Sequence, residues 1–223
     1  MDGYVGFANK LHVLFQHLDK ITDFSFSATS SGPVGIPGPY HSVLHLHAYD
    51  MPFLQVLELR FCFMSKRFAH FIGSHLATLK RVVLSNCYSG AGDGYAEEYT
   101  KWRTFFNMIS EYIERVDRMC LAEVTISPSV SGVLKDEGDL GNENVDVVAI
   151  RGTDEELELA KQTLQDNPGR RFFAYAGICS GGGCLYQAAE ENLWEFLRGE
   201  DEAAFDRLVD AMRRSRDGIQ KSC

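Results

Sequence analysis

The stretch Gly177-Ile178-Cys179-Ser180-Gly181-Gly182-Gly183 sets a thiol among glycines, after a segment that reads as a strand (171–176) and before one that reads as a helix. Gly-x-Cys-x-Gly is the thiol form of the sharp strand-to-helix turn that exposes a hydrolase nucleophile. A hydrolase of that build places an acid and then a histidine downstream of the nucleophile. All seven histidines (His12, His17, His41, His45, His47, His70 and His75) lie upstream of it. A cysteine hydrolase using Cys179 is therefore the alternative reading, and a flexible glycine connection the preferred one.

The remaining groups with chemical potential fall short on spacing. Cys179 and Cys184 could share a metal or a disulfide, but structural zinc takes four ligands in two close pairs and no second pair stands nearby. His45 and His47 would share one side of a strand, with His41 close by. Only Asp50 offers them a carboxylate, so polar loop or strand residues are expected there rather than a metal site. Gly90-x-Gly92-x-Gly94 lacks both the dinucleotide fingerprint and the Gly-Lys-Ser/Thr of a phosphate loop, and Asp93 would repel phosphate. No cofactor and no catalytic residue are expected from these patterns.

The elements that would carry any site come from a repeat. Leu54-x-x-Leu57-x-Leu59-x-x-Cys62 returns as Leu79-x-x-Val82-x-Leu84-x-x-Cys87. The same apolar trio stands at Ile21, Phe24 and Phe26 and at Leu121, Val124 and Ile126. The last two members of each trio, two residues apart, point to one side of a short strand, and the first anchors the chain ahead of it. Successive trios are offset by 33, 25 and 42 residues. Only the middle offset lies in the range of a leucine-rich repeat, and insertions explain the others. One is the loop 28–42, with three prolines and three glycines; the other is the glycine loop 89–97 with the helix after it.

That helix carries Trp102, Phe105, Phe106, Ile109, Tyr112, Ile113 and Val116 on one stripe. A second stripe runs from Tyr4 to Leu18. A third holds Phe68, Phe71 and Ile72, with Ser65 placed to cap it. Cys62 and Cys87 occupy equivalent repeat positions and are expected to pack in turns, and Trp102 and Trp194 are expected in the core. Units with one apolar face must stack to bury it.

Beyond Ile126 the rhythm changes. Residues 127–146 read as a linker or surface loop, and 136–158 hold nine acidic residues against one arginine, expected as a solvated face. A strand follows at 145–150, then a helix to about Asn167 opened by the capping box Thr153-x-x-Glu156. Amphipathic helices are expected at 185–197 and 203–212, separated by Gly199-Glu200-Asp201. The expected architecture is α/β: a short irregular leucine-rich-repeat-like solenoid of parallel strands and flanking helices over 1–130, with a mixed α/β cap over 131–223 packed on the last repeat.

The 223 residues are 45% hydrophobic and 24% charged with a net charge of −9, which excludes a largely disordered chain and disfavours a nucleic-acid partner. No apolar run approaches the length of a membrane helix, so no membrane role is expected. Six cysteines without a CxxC pair fit reduced thiols, hence an intracellular protein, cytoplasmic or nuclear.

The segments FLQVLELRFCFMSKRFAHFIGSHLATLKRVVLSNC, WRTFFNMI, RRFFAYA and EENLWEFLRGEDEAAFDRLVDAM, in that order, are similar to the C-terminal leucine-rich-repeat-like region of fungal F-box proteins. The resemblance runs from about residue 50 to 216. It implies a substrate receptor of a ubiquitin ligase, in which repeats hold a protein substrate and an N-terminal F-box holds the adaptor of a cullin ligase. Only about 20 residues precede the first trio here and no Leu-Pro pair occurs, so no F-box is expected in this chain and an adaptor would need one upstream.

The expected function is non-catalytic protein–protein interaction. Outward-facing residues of the strands form the expected binding row: Asp23, Ser25, Glu58, Arg60, Arg81, Ser85, Glu123 and Thr125.

Overall fold

The computed structural model describes residues 18–28, 44, 46–90, 100–127, 135–136, 149–178 and 185–220. The strands are β1 (Asp23–Ser27), β2 (Val56–Arg60), β3 (Arg81–Ser85), β4 (Ser89–Gly90), β5 (Glu123–Ser127), β6 (Lys135–Asp136), β7 (Ala149–Ile150), β8 (Tyr175–Ile178) and β9 (Leu185–Gln187). The α-helices are α1 (Lys66–Ser74), α2 (Trp102–Arg115), α3 (Asp154–Asp166), α4 (Ala189–Arg198) and α5 (Glu200–Gln220). The protein is mixed α/β.

The four apolar trios meet in one sheet. Its order is β1-β2-β3-β5 and every pair is parallel. Phe24, Leu57, Val82 and Val124 stand side by side in one register column, and Phe26, Leu59, Leu84 and Ile126 in the next. Parallel neighbours need a crossover, which α1 supplies between β2 and β3 and α2 between β3 and β5. The backbone repeats with them. Thr22 O accepts from Gln55 and Val56, Gln55 O from Lys80 and Arg81, and Lys80 O from Ala122 and Glu123. At the far end Ala28 N donates to Arg60 O, Phe61 N to Ser85 O and Asn86 N to Ser127 O.

The side chains behind the sheet explain its stability. Leu54, Leu57, Leu79, Val82, Leu84 and Leu121 are fully buried, whereas Phe24, Phe26, Val124 and Ile126 on the outer strands are half-buried. Ser65 caps α1, its hydroxyl accepting from Phe68 N at 3.2 Å, and Phe68, Phe71 and Ile72 face inward as their spacing requires. Trp102, Phe105, Phe106, Ile109 and Ile113 do the same for α2. The two helices approach closely at Gly73, where a Cβ would stand 2.5 Å from the Tyr112 ring.

The C-terminal residues join this core directly. Phe106 packs edge-on against Phe173 and Phe205, and the Trp102 indole N–H donates to Ala174 O at 2.9 Å. β8 pairs in parallel with β4 and antiparallel with β9. A second apolar cluster lies beside the first, where Phe61, Phe63 and Tyr88 meet Ala160, Phe172, Leu193 and Phe196. The capping box at Thr153 and Glu156 is formed in full, and Gly199, at φ 69°, ends α4 in the left-handed conformation that favours glycine.

Several details differ from the sequence reading. The strand expected at 171–176 runs instead from Tyr175 to Ile178, and the expected loops 89–97 and 127–146 contain the short strands β4 and β6, which pair with β8 and β7. The segment 185–197 is not one helix: Leu185–Gln187 pairs with β8 and the helix begins at Ala189, because strand pairing outweighs a helical spacing that Leu185 happens to share. The break between α4 and α5 is Gly199 alone, so Glu200 and Asp201 already belong to α5. Trp194 is 52% exposed rather than core, since it lies a step off the stripe of Leu193 and Phe196. The expected helix at 4–18 (Leu18 apart), the loop 28–42 beyond Ala28, Gly92 and Gly94 lie outside the described residues.

Candidate functional site

Strand alternation sends every second residue of the sheet away from the helices. Register then arranges those residues in three rows. Asp23, Val56, Arg81 and Glu123 form the first, Ser25, Glu58, Val83 and Thr125 the second, and Ser27, Arg60, Ser85 and Ser127 the third. All eight residues expected to form the binding row, Asp23, Ser25, Glu58, Arg60, Arg81, Ser85, Glu123 and Thr125, are brought onto this one face. Glu58 and Ser85 are half-buried and the other six exposed. The sequence reading missed Ser27, Val56, Val83 and Ser127; extending the alternation to the strand ends finds Ser27, Val56 and Ser127, and Val83 is the apolar residue between Arg81 and Ser85 in that same alternation.

The face has its own bonding. Arg81 Nη2 meets Glu58 Oε1 at 2.7 Å across the β2–β3 boundary. The Thr125 hydroxyl donates to Glu123 at 2.9 Å, the Thr22 hydroxyl to Asp23 at 2.7 Å and the Ser127 hydroxyl to Ser85 Oγ at 3.2 Å. Arg60 lies with its guanidinium carbon 4.9 Å from the centre of the Phe61 ring. Charge is therefore unevenly spread. The first row holds the acids Asp23 and Glu123 with Arg81 between them, Arg81 reaches across to Glu58 of the second row, and the third row carries one arginine among three serines.

Immediately after this third row the chain bends sharply. Phe61 and Asn86, at equivalent places in two repeats, have φ of 55° and 50°. Asparagine tolerates the left-handed region; a bulky aromatic is an outlier there, held by its surroundings. The Phe61 ring is buried in the second apolar cluster. Behind it, Cys62 and Cys87 are buried free thiols whose sulfurs donate to carbonyls of Arg60 and Leu59. The bond to Cys87 and burial both raise the Cys62 thiol well above its usual range, so it remains protonated and inert.

A second polar cluster sits at the junction of α2 and α5. α2 starts after Lys101, which gives no side-chain cap. The acceptor comes from α5 instead: Asp201 Oδ1 takes the Arg103 N–H at 2.9 Å while Oδ2 takes the Tyr175 hydroxyl at 2.7 Å. Burial raises Asp201 to about 6, with those two hydrogen bonds pulling the other way, and burial followed by the Asp201 charge raises the Tyr175 hydroxyl. Buried Glu195 lies between Lys101 Nζ at 2.5 Å and Arg103 Nη1 at 2.7 Å. Each buried charge here has a partner, which makes the cluster a fastening between elements.

The alternative chemistry gains no geometry. Cys179 and Cys184, with His12, His17, His41 and His45, lie outside the described residues. His47 stacks on Tyr49 with centroids 5.0 Å apart, and the buried His75 ring faces Phe71 O and Met51 O, tying the end of α1 to the turn before β2. Among the described residues no group of three His, Cys, Asp or Glu could hold a metal, and no helix is long and apolar enough to cross a membrane. No family model, curated protein or solved structure matches the chain.

Proposed function

We propose that the chain is a non-catalytic protein-recognition module, a short leucine-rich-repeat-like solenoid whose outward sheet face binds a protein partner. One observation carries this reading. The described strands align twelve outward positions in three rows, predominantly polar, while the reverse side of the central strands is buried in the core that α1 and α2 share. Such a face offers hydrogen-bonding groups of both signs without an apolar patch that would drive self-association. The resemblance to the repeat region of fungal F-box proteins supports the further reading that the partner is a ubiquitin-ligase substrate, with the ligase adaptor engaged only where an F-box accompanies the repeats.

Site-directed photocrosslinking in cells tests the reading. Benzoylphenylalanine placed at Val83 or Thr125 on the face, and at the exposed Glu111 of α2, separates the two sides of the sheet. The reading expects one protein joined from Val83 and Thr125 and not from Glu111. Equal labelling from both sides, or labelling from Glu111 alone, overturns it.

A further inference from the structure

Arg60 differs from the other arginine on the face. Arg81 is engaged by Glu58, the acid two residues before Arg60 on its own strand. Among the described residues, the Arg60 side chain has no ion pair, and its guanidinium carbon lies 4.9 Å from the centre of the Phe61 ring. Arg60 is exposed, and its guanidinium lies over the ring of Phe61, which is itself buried in the second apolar cluster. The residues in register on either side are Ser27 and Ser85. The Ser127 hydroxyl donates to Ser85 Oγ, and among the described residues no hydrogen bond uses the Ser85 hydroxyl proton.

We infer that Arg60 is the anion-recognition point of the outward face, receiving a carboxylate side chain from an extended acidic segment of the protein partner. This rests on the reading of the sheet face as a binding surface and names the chemistry of what binds there. A guanidinium offers a planar fork that grips a carboxylate through two parallel hydrogen bonds, and the Ser85 hydroxyl adds a third donor. The rest of the face favours this position. In the first row, four residues and about 13 Å away along the strands, Arg81 is already paired with Glu58 and is flanked in its row by the acids Asp23 and Glu123, so the cation without an acidic partner among the described residues of the face is at the third row. An acidic segment therefore docks at the C-terminal ends of the strands.

Two synthetic pentapeptides, acetyl-Ser-Glu-Ser-Glu-Ser-amide and its glutamine counterpart, test this by NMR titration of the intact chain. The glutamate peptide is expected to shift the Arg60 Nε–H and the Ser85 amide saturably, binding about tenfold tighter than the glutamine peptide and weakening as salt is raised. Arg60→Ala is expected to abolish the shifts. Arg60→Lys keeps the charge without the fork and should lose most of the affinity, while Arg81→Ala should lose little. Dispersed spectra of each variant establish that it is folded. Equal binding of both peptides, unchanged binding in Arg60→Ala, or no saturable shift at all overturns the inference. Photocrosslinks from Val83 and Thr125 would survive that failure and vanish only if the face itself binds nothing.

Discussion

Between 23 and 127 the molecule repeats itself; between 149 and 220 it does not, and the two regions put their polar groups in opposite places. In the sheet, apolar side chains go behind and, Val56 and Val83 apart, polar ones face outward, and each strand repeats the bonding of its neighbour. In the C-terminal region Asp201, Glu195 and Asn192 are buried and hold elements together through specific partners. The sheet thus leaves its polar groups available to another molecule, whereas the C-terminal region spends its own on internal joints.

The contrast can be strained from several directions. Trp102→Ala removes the side chain that touches both regions and strands the Ala174 carbonyl, so a loss of about 4 kcal/mol is expected, read by urea unfolding. Trp194 is then the remaining tryptophan, and its fluorescence should report the same transition as circular dichroism, because the core is continuous. Separate transitions would show that the regions fold independently. Leu84→Ala, wholly within the sheet, should cost about 3 kcal/mol.

Asp201→Asn addresses the joint. Asp201 is raised to about 6 when folded, from an ordinary 3.8, so the folded state holds a proton that the unfolded chain has lost. Wild type should therefore gain stability relative to the variant as pH falls through about 6 towards 4, by about 2 kcal/mol in all. The sign is opposite to that of the exposed carboxylates Glu156 and Glu200, which are lowered by Thr153 and Arg198, so the wild-type-minus-variant difference is the quantity to measure. A flat difference across that range would refute the assignment.

Gly73→Ala forces a methyl into the Tyr112 ring and should cost about 1–3 kcal/mol, mostly recovered when Tyr112 is also cut to alanine in a double-mutant cycle. Arg81→Met is the mildest test. Its pair with Glu58 is 44% and 40% exposed, so unfolding should change by about 0.5 kcal/mol or less, against the larger effects at buried Asp201.

The same contrast explains what was legible beforehand. Leu57, Leu59, Val82 and Leu84 announce their strand through an alternation that appears twice with the same closing cysteine, and Ser65 and Thr153 announce their helices by local capping chemistry. These signals are short-range, so the sequence displays them directly. Asp201 shows nothing comparable. An acid in the first turn of a helix looks solvated until the fold places Arg103, 98 residues earlier, against it. Trp194 misled for a related reason: an aromatic beside a helical stripe reads as core, although its neighbours are Arg198 and Lys101, at 4.6 and 5.5 Å from its ring, rather than apolar groups. Phe61 was invisible because a left-handed bend at a bulky residue has no signature in residue type.

The borrowed cap on α2 has a consequence for the order of events on the ribosome. When residues 102–115 leave the exit tunnel, their first-turn N–H groups lack the carboxylate that will satisfy one of them, and α5 has not yet been translated. The apolar stripe of Trp102, Phe105 and Phe106 likewise waits for Phe173 and Phe205. The nascent sheet therefore travels with a half-built back wall until the last helix arrives, and a polypeptide arrested before Asp201 would present those rings to chaperones.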